Sequence, residues 1–94
     1  MKTYISGAIT GLSEWQYKAK FALAAEIIRE RGLTPVNPVE ICAHIDNGTW
    51  EQYMAVCMAE LLTCDAIMML PCWKNSKGAR IERAIAMELK LIEL

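Results

Sequence analysis

The sequence predicts a three-layer α/β/α sandwich built on a small, wholly parallel sheet of about four strands. Three observations lead there. β-prone runs alternate with helical runs in the order β-α-β-α-β-α-β. The connections are short, so each helix returns the chain to the same sheet as a parallel neighbour through a right-handed crossover. The run Ala66-Ile67-Met68-Met69-Leu70 is apolar at every position, as suits a strand covered by helices on both faces.

Each element has its local reasons. Thr3 to Ser6 is a short β-prone run stopped by Gly7, and Gly7 to Ser13 is a turn-rich loop. Ser13 is placed to cap a helix running to Arg31, with Phe21, Ala25 and Ile28 on its core stripe and Gly32 as its stop. Leu33 to Val36 is the second strand, ended by Asn37-Pro38, and Val39 to Gly48 is expected to be a loop. Thr49 caps the next helix, whose one face carries Trp50, Tyr53, Met54, Cys57, Met58 and Leu61, and whose other carries Ala55, Val56, Ala59 and Leu62. A helix apolar on both sides has more to bury than one small sheet can cover. The 50–62 helix is therefore expected to pack against a second copy of the chain. Asp65 opens the third strand and is read as structural, Pro71 to Lys77 is a loop, Gly78 to Lys90 is the last helix, and Leu91-Ile92 begins a fourth strand.

Ninety-four residues make a single domain, 1–94, and 54% hydrophobic content is ample for a core. Ten Lys and Arg against eleven Asp and Glu leave a net charge of −1, which argues against a nucleic-acid polymer or a membrane surface as partner. No apolar run is long enough to span a membrane, and the chain opens on a strand in place of an export signal, so a cytoplasmic location is expected. Cys42, Cys57, Cys64 and Cys72 form no C-x-x-C pair and are read as reduced thiols. Cys42 and His44 would need two more ligands to hold zinc, and none stands at a suitable spacing. No metal or other cofactor is implied.

In such a truncated Rossmann-like or flavodoxin-like sheet, ligands sit beyond the carboxyl ends of the strands. The first loop there, Gly7-Ala8-Ile9-Thr10-Gly11, reads equally as an anion cradle or a plain tight turn. The second, Pro71 to Lys77, leads into the last helix with Lys74, Lys77, Arg80 and Arg83 close together, which by themselves read as a solvated basic face. Glu82 changes that reading. With Ile81, Ile85 and Leu89 as the buried stripe, Glu82 falls on its flank and Arg80 and Arg83 point away. Gly78, one turn earlier, leaves space above the carboxylate. The helix start and the neighbouring cations are expected to keep it ionised and nucleophilic. Trp50 is read as core. Trp73 reads as a base-stacking residue, a lid or an interface residue.

The chain resembles the nucleoside 2-deoxyribosyltransferase-like superfamily, which includes the deoxynucleotide N-hydrolases, and most closely a short bacterial and phage branch of it. The resemblance covers most of the chain. It lies in Tyr4-Ile-Ser-Gly-Ala-Ile-Thr-Gly11, Asn37-Pro38, Trp50-Glu-Gln-Tyr-Met54, Cys64-Asp-Ala-Ile67 and Leu70-Pro-Cys-Trp-Lys-Asn-Ser-Lys-Gly-Ala-Arg-Ile-Glu82. It implies that Glu82 attacks the anomeric carbon of a deoxyribose, giving a glycosyl-enzyme ester resolved by water or by another base. It further implies that Tyr4 lies beside the nucleophile, that Ser76 contacts sugar or phosphate, and that the 7–11 loop holds the sugar and a 5′-phosphate. Relatives carry a catalytic aspartate eight residues before the one matching Asp65. Here that position is Cys57, whose thiol is a poor acid, and Glu60, one turn on, is a displaced substitute.

Three readings follow. The first is a homo-oligomeric protein that binds a nucleoside or nucleoside 5′-monophosphate and cleaves or transfers at the N-glycosidic bond through Glu82 and Tyr4, with Gly7, Ala8, Ile9, Thr10, Gly11, Cys57, Trp73, Ser76 and Gly78 around the substrate. The second is a nucleotide-sensing module without turnover, suggested by Cys57. The third is an interaction protein with no small ligand, suggested by the doubly apolar helix.

Overall fold

The computed structural model describes residues 1–94. Four strands, β1 (Lys2–Ser6), β2 (Thr34–Val36), β3 (Ala66–Met69) and β4 (Ile92–Glu93), form one sheet in the order β2-β1-β3-β4. Every pairing is parallel. Between them run α1 (Glu14–Glu30), α2 (Pro38–Ile41), α3 (Trp50–Leu61) and α4 (Lys77–Glu88). The expected small three-layer fold is what forms. No helix is long and apolar enough to cross a membrane.

Period-two alternation in β1 divides the core. Ile5 packs with Phe21, Ala24, Ala25 and Ile28 of α1 on one side of the sheet. Tyr4 packs with Cys57 and Leu61 of α3, Ile67 of β3 and Ala86 of α4 on the other. β1 is held between β2 and β3, with Tyr4 level with both Val36 and Ile67, which makes it the most enclosed strand. β2 takes the edge, where Pro35 removes no inner ladder bond. Asp65 accepts a 2.9 Å hydrogen bond from the Lys2 backbone N–H and so fastens the start of the β1–β3 pair, a structural role as expected. Helix starts follow the chemistry read from the sequence: Ser13 with Gln16, and Thr49 with Gln52, form reciprocal capping boxes. Gly32 leaves α1 with φ +77°.

Three elements differ from expectation. Residues 38–41 make a one-turn helix where a loop is expected: Asn37 caps it by accepting from Val39 N–H at 3.0 Å, with Pro38 at its first position. One turn is too short to show a period. Within 71–77, Trp73–Asn75 forms a 3-10 turn. The largest difference is in α4, whose buried face is Ala79, Glu82 and Ala86, while Ile81 and Ile85 are only half-buried and Leu89 is exposed. Two alanines bring the helix backbone close to the sheet, and Glu82 takes the central position between them. A hydrophobicity ranking puts the isoleucines there; two hydroxyl partners on the sheet make the carboxylate acceptable instead.

At the end of β1, a Cβ on Gly7 would lie 2.7 Å from Cδ1 and 2.8 Å from Cβ of Leu70. Gly7→Ala is therefore expected to cost about 1–3 kcal/mol in urea unfolding. Adding Leu70→Ala should recover at most part of that loss, because the Cβ of residue 70 is itself one of the contacts.

Candidate functional site

Strand β1 ends with Tyr4 and Ser6 on the face toward α4, both fully buried. The Tyr4 hydroxyl donates to Oε2 of Glu82 at 2.5 Å, and the Ser6 hydroxyl donates to Oε1 at 2.7 Å. Each carboxylate oxygen thus has its own neutral donor, which fixes the plane of the group. Glu82 is 6% exposed. Burial pushes its pKa upward, and the Tyr4 and Ser6 hydrogen bonds oppose that by favouring the anion. Burial also raises the Tyr4 phenol strongly, reinforced by the Glu82 carboxylate, so it stays a proton donor at any working pH.

The carboxylate faces a cavity of about 600 Å³, bounded by the 7–10 loop, α1, the 38–48 segment, α3 and the start of α4. Of the residues the sequence reading puts around a substrate, Gly7, Ile9, Thr10, Cys57, Ser76, Gly78 and Glu82 border it. Tyr4 stands behind Glu82, holding it from the sheet side. Ser76 also caps α4, accepting from Ala79 N–H at 3.2 Å.

Other expectations are corrected. Ala8 and Gly11 do not line the cavity. Their loop is a tight turn, closed by Leu12 N–H donating to the Ile9 carbonyl at 3.1 Å with Gly11 at φ +88°. Trp73 lies away from it as well, with the Arg83 guanidinium 4.9 Å and the Lys74 ammonium 5.8 Å from its ring centre. Trp50, read as core, is instead 37% exposed at the cavity's border, with Lys77 Nζ 4.6 Å from its ring centre. Gly78 does border the cavity, but its missing side chain mainly admits α3, since a Cβ there would meet Met54 Sδ at 3.2 Å. Glu60 faces away, 3.9 Å from Lys2, and cannot replace an acid at Cys57. The cations do not pair with Glu82 either: Arg83 grips Glu93 at 2.8 and 3.0 Å, and Arg80 donates to the Lys74 carbonyl at 2.8 Å. Hydroxyls, not cations, hold this carboxylate.

Several residues escape the sequence reading. The sequence reading gives Ser6 only a place at the end of a strand, although its i, i+2 relation to Tyr4 puts both hydroxyls on one face. Tyr17 and Lys18 of α1 and Val39, Ala43 and Ile45 of the 38–48 segment also line the cavity. Burial pushes the Cys57 thiol up to about 12, and Glu82 and Glu14 are the only carboxylates on the wall. Glu14 is exposed and ion-paired with Lys18 at 2.5 Å, which holds its pKa down. No group of three or more His, Cys, Asp and Glu side chains is arranged to hold a metal ion.

The raised Glu82 pKa has a definite sign in stability. Between the unfolded carboxyl pKa of about 4.5 and the higher folded value, the native state holds a proton that the unfolded state has lost, so stability falls as pH rises. Glu82→Gln should remove that component. Urea midpoints compared at pH 4.5 and 7.5 are expected to show the parent protein losing more stability across the interval than the variant.

The family described as a domain of unknown function (DUF4406) matches residues 1–92. No curated protein and no solved structure matches the chain. With nearly its whole length covered by that match, the chain belongs to the DUF4406 family.

Proposed function

We propose that this protein binds a nucleoside or nucleoside 5′-monophosphate in the 600 Å³ cavity and breaks its N-glycosidic bond through Glu82. One observation carries the reading: a buried carboxylate, both oxygens held by the hydroxyls of Tyr4 and Ser6, opens onto a hollow of nucleoside size. The resemblance to the nucleoside 2-deoxyribosyltransferase-like superfamily supports the same chemistry. A Glu82 oxygen attacks C1′ as the C1′–N bond breaks, the base leaves with the bonding pair, and water or a second base then opens the ester. The Tyr4 and Ser6 hydrogen bonds favour the anion against the upward push of burial and keep the group aimed.

A sensing module without turnover is the second reading, and the Cys57 thiol favours it. With a pKa near 12, that thiol gives the departing base little help as an acid. The two readings separate by experiment. Incubation with the common deoxynucleoside 5′-monophosphates, followed by chromatography, is expected to release free base. Glu82→Ala should reduce release by roughly 10³-fold or more. Tyr4→Phe or Ser6→Ala should reduce it about 10²-fold. Thermal stabilisation by nucleotide with no base released, and release gained in Cys57→Asp, selects the module. No release and no stabilisation ends both.

The reading extends to a homodimer or higher homo-oligomer. The outer face of α3 exposes Ala55, Ala59 and Leu62, the last at 62%, and a second copy is proposed to cover it. Light scattering is expected to give a mass of at least two chains, falling to one in Leu62→Glu.

A further inference from the structure

Two thiols meet in the cavity wall, and the reaction proposed above gives neither a chemical step. Cys42 closes α2 and Cys57 stands in mid-α3; both are buried, and their sulfurs are 3.7 Å apart. Both border the cavity, so a small solute entering it reaches them. The other two cysteines are differently placed: Cys64 donates to the Glu60 carbonyl at 3.3 Å, away from the cavity, and Cys72 is exposed.

We propose that Cys42 and Cys57 form a reversible disulfide, with hydroperoxides as the oxidant class. The sulfurs must close from 3.7 Å to the bonded distance of about 2.05 Å. The adjustment falls on the Cys42 side, where a single helical turn gives way to residues 43–49, which form no helix or strand. The Cys42 sulfur attacks one peroxide oxygen, the O–O bond breaks, and the leaving alkoxide takes the thiol proton, giving a sulfenic acid. The Cys57 sulfur then attacks that sulfur, the S–O bond breaks, and the hydroxide leaves as water with the second thiol proton. Two thiols and one hydroperoxide become one disulfide, one alcohol and one water, with two electrons passed to the peroxide; hydrogen peroxide gives two waters. A dithiol reverses the change.

Residues 42–57 contribute Ala43, Ile45, Gly48, Trp50, Tyr53 and Met54 to the cavity wall. A bond between their two ends ties α2 to α3 and restricts this side of the cavity. The pair is thus a covalent latch on the wall that faces Glu82. It is independent of whether glycosidic cleavage takes place.

The test uses the Cys72→Ser protein, which lacks the exposed thiol, treated with hydrogen peroxide. Alkylatable thiols are expected to fall from three, Cys42, Cys57 and Cys64, to one. The intact mass should drop by about 2 Da as two hydrogens leave, and the Tm should rise by roughly 5–15 °C. Cleavage after Glu40, Glu51 and Glu60 should leave fragments 41–51 and 52–60 joined until dithiothreitol is added. Cys42→Ser and Cys57→Ser, each in the Cys72→Ser background, should both abolish the joined pair. Fragments that never join, although the same peroxide oxidises Cys72 in the parent protein, overturn the proposal. A cross-link that instead uses Cys64, or only added oxygen on separate fragments, also overturns it.

Discussion

A carboxylate shut inside the protein and answered by two hydroxyls is the constraint on which the remaining structure depends. An isolated buried carboxyl group costs several kcal/mol or gives up its charge. Glu82 avoids the first outcome because Tyr4 and Ser6 reach it from the sheet. Those two positions are available only because β1 lies between β2 and β3 and turns alternate residues toward α4. The helix in turn comes near enough only because Ala79 and Ala86 stand on either side of the glutamate. Strand position, side-chain alternation and small-residue spacing thus converge on one group.

The cavity above that group is assembled from pieces that are weak individually. Its floor is regular structure, but much of its wall is the 38–48 segment, with a single helical turn and two capped entrances at Asn37 and Thr49. Its border carries Trp50, whose ring centre lies 4.6 Å from the Lys77 ammonium. The basic side chains near α4 are occupied with one another's surroundings: Arg83 with Glu93 and Trp73, Arg80 with a backbone carbonyl. They shape the outside of the helix and leave Glu82 to the neutral hydroxyls of Tyr4 and Ser6.

The layering and the parallel sheet were legible because β-α alternation and a continuous apolar strand are long-range signals that survive local ambiguity. Glu82 was legible as a chemical group, but its environment was not. The helical wheel gave the core to Ile81, Ile85 and Leu89, since a wheel ranks side chains by oiliness and cannot see a partner across the sheet. Ser6 was missed for the same reason, as its value lies wholly in what faces it. Trp50, read as core, reaches the hollow and Trp73 does not, because aromatic bulk alone does not say which side of a helix or loop meets a hollow. Ala8 and Gly11 were overcounted by treating a loop as uniform when its turn sends only some residues inward. Residues 38–41 were lost because one turn carries no period.

β1 serves two masters in five residues. Thr3 and Ile5 belong to the layer beneath α1, Tyr4 and Ser6 to the layer containing the carboxylate, and a slip of one position would exchange the sets. Such a slip would set Ile5 against Glu82 and drive a phenol into the aliphatic side, so misregistered pairings are penalised on both faces at once. The same alternation that fixes registry therefore makes assembly of the pocket all-or-none with closure of the sheet: a chain whose strands have not yet aligned has a glutamate, but nowhere to keep it.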